Sequence, residues 1–91
     1  MSEMQADERQ KVLDTFWEKA EQARAKGDAN DARGWLEGMI ELDEKNIAAW
    51  LRLAELSPDA RERMSRYVQV LEFDPKNAEA RDGIRKTRRL L

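Results

Sequence analysis

The chain has 91 residues, 40% of them charged, yet its formal net charge is only −2. It contains neither cysteine nor histidine, which excludes a disulfide framework, zinc sites built from those residues, and the commonest general base near neutral pH. A chain of this length buries roughly two thirds of its unfolded surface, enough for one modest core.

Mixed charge at this density, with apolar residues at helical spacing, predicts a solvated all-α protein rather than a disordered chain. No segment sustains an alternation of period two, and no apolar run approaches the ~20 residues that span a bilayer. The stretch Met1–Glu8 is acidic and has no apolar centre, so it does not read as a signal peptide. A flexible N-terminus over 1–6 and a single domain over 7–91 are expected. A cytoplasmic location without membrane contact follows by default.

The first helix is predicted from about Asp7 to Lys26, with Leu13, Phe16, Trp17, Ala20 and Ala23 as its apolar stripe. Gly27 suits the left-handed position after its end. Asp28 or Asn30 can cap a second helix that carries Ala32, Leu36, Met39 and Ile40 on one face and ends near Asp43. Asn46 caps a short third helix with Ile47, Trp50, Leu51 and Ala54. Ser57 is the N-cap candidate of the fourth helix and Pro58 its first residue, where the missing N–H costs nothing. That helix presents Met64, Tyr67, Val68 and Leu71, and Pro75 ends the run. Asn77 caps a fifth helix with Ala80, Ile84 and Leu91 as its inner face.

Charge is uneven along these elements. Residues 78–91 hold Arg81, Arg85, Lys86, Arg88 and Arg89 against Glu79 and Asp82, a net of +3, so the rest of the chain carries −5. A basic tip on an acidic body can attract an anion or an acidic partner. The plainer reading is that cations near a helix C-terminus complement its dipole.

Two segments repeat one pattern at an offset of 31 residues: Met39-Ile-Glu-Leu-Asp-Glu-Lys-Asn46 and Val70-Leu-Glu-Phe-Asp-Pro-Lys-Asn77. The same offset aligns Leu36 with Tyr67 and Ala49 with Ala80. Periods of ~20–50 residues mark stacked arrays, in which no unit buries its apolar face alone. Such arrays are binding scaffolds.

These residues resemble the tetratricopeptide repeat, a helix-turn-helix unit of ~34 residues with the pattern W-x2-L-G-x2-Y, A-x3-F, P. Trp50-x2-Leu53-Ala54 matches its first part, Ala32-x3-Leu36 its second, and Glu72 to Asn77 its closing turn. Phe16 and Ala20 stand for the Trp and Gly in the first unit. Lys19, Arg63 and Glu44 depart from the pattern, and the second unit is three residues short around Glu55-Leu56-Ser57-Pro58. The compressed unit is similar to divergent modules of bacterial proteins. The resemblance implies two hairpins, over about 13–46 and 47–77, and a capping helix over 78–91, stacked as a right-handed superhelix. Arg85, where an internal repeat has a small residue, fits a helix that ends the stack.

In this family the concave face of the first helices binds peptides. The corresponding positions are Trp17, Glu21 and Arg24 in the first unit and Leu51 and Glu55 in the second. They imply a groove with an apolar floor and acidic edge, its acidity blurred by Arg24 and Arg52. The alternative is that Trp17 packs under the N-terminal residues or a neighbouring helix. The family's clamp for a terminal carboxylate is missing, since Asp14, Glu18, Glu21 and Glu55 occupy its positions. Trp35 and Trp50 are expected in the core. Gly34 and Gly38, one turn apart, can admit another backbone, mark a subunit or ligand contact, or relieve crowding beside Trp35.

Without His, Cys, a Gly-rich phosphate loop or an activated Ser, no catalytic constellation can be assembled. Ser65 reads as a solvent-facing residue in mid-helix. The expectation is a non-enzymatic module with no cofactor or metal that binds a protein or peptide, as a monomer or weak homodimer. Self-association around Trp17 is one alternative. Weak nucleic-acid or anion binding through the basic tip is another, opposed by an isoelectric point near 5.2 and the absence of an aromatic on that helix.

Overall fold

The computed structural model describes residues 4–91, of which helix takes up 78%, with no strand among them. Five helices follow in order: α1 (Ala6–Ala25), α2 (Ala29–Leu42), α3 (Ile47–Leu56), α4 (Ala60–Phe73) and α5 (Ala78–Arg88). They form two compact units, the first ending at Glu44 and the second spanning Lys45–Leu91. No described helix is long and apolar enough to cross a membrane.

In the first unit α1 packs on α2. Asp7 and Glu8 sit in the first turn of α1, where negative charge complements the helix dipole. Leu13, Ala20 and Ala23 are buried, a spacing of seven and three that keeps them on one face. The helix ends at Gly27, whose φ of 80° only glycine adopts without strain. That conformation turns the Gly27 N–H onto the Arg24 carbonyl (3.0 Å) and the Asp28 N–H onto the Ala23 carbonyl (2.9 Å), satisfying groups the helix end would leave open. Asp28 then caps α2, its carboxylate accepting from the Asp31 N–H at 3.0 Å.

The α2 core residues are Ala32, Leu36 and Met39, with Ile40 half-buried. Phe16 and Trp35 meet edge to face, centroids 5.2 Å apart at 62°. Phe16, on the apolar stripe of α1, is half-buried, as is Trp17. One edge of the Phe16 ring lies against Gly38, where an added Cβ would stand 2.9 Å from Cε2 and 3.1 Å from Cδ2. Gly38 therefore admits a side chain, not another backbone. Gly34 faces open space, with nothing within 4 Å of such a Cβ.

The second unit packs α3 on α4 and α4 on α5. Asn46 caps α3 by accepting from the Ala49 N–H (3.0 Å), and Asn77 caps α5 by accepting from the Ala80 N–H (2.8 Å). Ala54, Tyr67, Val70 and Ala80 form the buried cluster, with Ile47, Trp50, Leu51, Leu71 and Ile84 half-buried against it. Trp50 and Phe73 add a tilted ring pair at 6.2 Å. The Tyr67 ring covers the bare Cα of Gly83, leaving no room for a methyl group.

Three expectations are corrected here. Ser57 does not cap α4. It ends α3, 1% exposed, and Asp59 is the cap, accepting from the Glu62 N–H at 3.3 Å, with Pro58 ahead of the helix. Val68 is 44% exposed, and Val70 takes the inner position instead. The α4 face centres on Tyr67 and Val70 because the side towards Arg63 and Arg66 is drawn to Ser57. Leu91 is 60% exposed beyond the end of α5. Ala80, Gly83 and Thr87 are buried instead, at spacings of three and four along the helix.

Candidate functional site

The five groove candidates fall into two groups. On α1, Trp17, Glu21 and Arg24 stand four and three residues apart and so share a face. Trp17 and Glu21 are half-buried and Arg24 is exposed, with Arg24 Nη2 donating to Glu21 Oε2 at 2.7 Å. On α3, Leu51 is half-buried against the second unit's core, and Glu55, one turn on, accepts from Arg52 Nη1 at 2.8 Å. Each carboxylate expected at an acidic edge is thus matched by an arginine of its own helix.

The basic tip residues Arg81, Arg85, Lys86, Arg88 and Arg89 are all exposed. Asp82 holds two of them, with Arg85 Nη2 and Lys86 Nζ each at 2.9 Å. The hydrogen bond from Lys86, backed by the charge of both cations, holds the Asp82 carboxyl below the usual carboxylate range. Arg81 and Arg88 form no ion pair among the described residues.

Sequence reasoning did not anticipate the groove between α4 and α5. Leu71 and Ile84 lie in it, Arg81, Arg85 and Arg88 border it, and its volume, open to solvent, is about 530 Å³. Its signal was present as Arg81-x2-Ile84-Arg85-x2-Arg88, one stripe at three-and-four spacing. A smaller cleft of about 310 Å³ lies beside the α1–α2 turn, against Trp35. Lys19 and Lys26 face Asp28 and Asp31 there, so it carries no net sign.

Ser57, expected to cap α4, has a different role at the end of α3. Its Oγ donates to the Leu53 carbonyl (2.7 Å) and accepts from Arg66 Nε (3.1 Å). Its carbonyl accepts from Arg63 Nε (3.3 Å) and Nη2 (2.9 Å). The hydroxyl proton is committed to a backbone carbonyl and the neighbours are guanidiniums, so this is a turn fastening rather than an activated nucleophile. Arg63, a departure from the repeat pattern, thereby has a structural reason. Burial pushes the Tyr67 phenol above its ordinary pKa, and Glu55, Glu79 and Asp82 push the same way.

No family model matches the chain, and no curated protein matches it.

Proposed function

We propose that the chain is a non-catalytic protein-binding module, built of tetratricopeptide-like hairpins, that receives a peptide or helix of a partner on its leading helices. One observation carries this reading. The leading helix of each unit presents the same pair, a half-buried apolar residue and a glutamate one turn later, Trp17 with Glu21 and Leu51 with Glu55. Each glutamate is paired to an arginine three residues away, Arg24 or Arg52. Part-exposed pairs within one helix contribute little to folding, so a partner that brings its own charges can exchange with them at small cost. Burying an aromatic anchor supplies affinity, and charge matching supplies orientation.

The test is a photoreactive residue placed in turn at 17, at 51 and, as a control, at the exposed Glu37 on α2. The reading expects one protein partner crosslinked from 17 and 51 and not from 37, with capture weakened by Trp17→Ala. Equal capture from all three positions would overturn it.

A further inference from the structure

We propose that the groove between α4 and α5 binds an acidic amphipathic helix of another protein, through residues distinct from those proposed on α1 and α3. Its floor is apolar, formed by Leu71 and Ile84, and Val68, one turn before Leu71, is 44% exposed. Its border is cationic, formed by Arg81, Arg85 and Arg88. The three arginines stand at i, i+4 and i+7, so they spread over about 10 Å of helix. That span matches two turns of a facing helix whose carboxylates flank leucine-like residues at the same spacing.

The charges are ready for this exchange. Among the described residues Arg81 and Arg88 form no ion pair, and Arg85 is tied only to Asp82, whose side chain is 44% exposed. Asp82 also holds Lys86, so a partner carboxylate can take Arg85 without leaving Asp82 without a cation. Guanidinium forks suit carboxylates because both can bond in parallel pairs.

Other occupants fit less well. A single phosphate needs convergent donors, whereas these are strung along a helix around an apolar floor. A nucleic acid strand needs aromatic platforms, and none lines the groove. A second copy docked by two-fold symmetry would set the arginine stripe against itself.

The full chain is titrated into a fluorescein-labelled synthetic helix with leucines at i, i+3 and i+7 flanked by glutamates, and anisotropy is read. Arg81→Glu with Arg88→Glu should weaken binding about ten-fold or more, while a lysine-for-glutamate version of the helix should bind this variant and not the parent. Arg81→Gln with Arg88→Gln, which introduces no new charge, should also weaken it, and Trp17→Ala should leave it unchanged. Circular dichroism confirms that each variant keeps its helix. The proposal is overturned if both arginine double variants bind as the parent does. It is also overturned if a leucine-free glutamate peptide binds equally well, or if a single-stranded oligonucleotide binds more tightly than the synthetic helix.

Discussion

The two units turn their first corner by different chemistry. After α1 the backbone alone closes the end, because Gly27 at φ 80° lets two successive N–H groups reach back to α1 carbonyls. After α3 there is no glycine, and Ser57 stays extended at φ −75° and ψ 119°. Side chains must then do what the backbone did. The Ser57 hydroxyl takes the Leu53 carbonyl, and Arg63 and Arg66 come from α4 to bind Ser57 itself. A backbone closure depends on one dihedral. A side-chain closure depends on several residues, and it draws α4 into a particular rotation.

The aromatic packing differs as well. The first unit sets Phe16 between Trp35 and Gly38. Phe16→Ala should cost about 3 kcal/mol in chemical denaturation, through the lost ring pair and the void over Gly38. Trp17→Ala should cost clearly less, since Trp17 lies about 100° away around α1. Equal, large losses for both would place Trp17 in the core and remove the proposed anchor.

The corners themselves come next in size. Ser57→Ala should cost about 1–3 kcal/mol, because the Leu53 carbonyl and Arg66 lose a buried partner. Gly27→Ala should cost about 1–2 kcal/mol from left-handed strain alone. Hydrogen exchange should then rise in α3 and α4 for the serine variant and in α1 and α2 for the glycine variant. A Ser57→Ala protein as stable as the parent would show that the side-chain fastening is dispensable.

The smallest contrast is in pH dependence. The chain has one tyrosine, Tyr67, in the second unit. Its folded pKa is raised, chiefly by burial, so the stability it contributes is complete below its unfolded value of about 10 and declines as pH rises above that. Tyrosinate absorbance should titrate later in the folded protein than in denaturant. A folded titration at or below the denatured one would contradict the burial of this ring over Gly83.

Much of this was legible because it is local. Gly27, Asp28, Asn46 and Asn77 act through bonds three to five residues away, so their residue types foretold their roles. Asp43 and Asp74, aligned by the 31-residue offset, end α2 and α4 with nearly the same dihedrals, −145°/88° and −143°/86°. At the candidate site the α1 and α3 residues could be named from sequence, but their pairing with Arg24 and Arg52 emerged as helix-internal bonds. The α4–α5 groove could not be named, because its floor takes one residue from each of two helices.

The sequence by itself determined five helices, the caps of α3 and α5 and the clustering of arginine near the end of the chain, since helical period and capping depend on neighbours along the backbone. Tertiary structure decided which side of a half-apolar helix turned inward. Val68 and Val70 are equally apolar, and only the positions of α3 and α5 choose Val70. Leu91 outranks Thr87 in hydrophobicity, yet α5 ends first and Thr87 is buried. Ser57 has the side chain of a helix cap, but Arg63 and Arg66 recruit it to the preceding turn. A rotation of about 100° per residue separates adjacent side chains, and only packing against another helix selects among them.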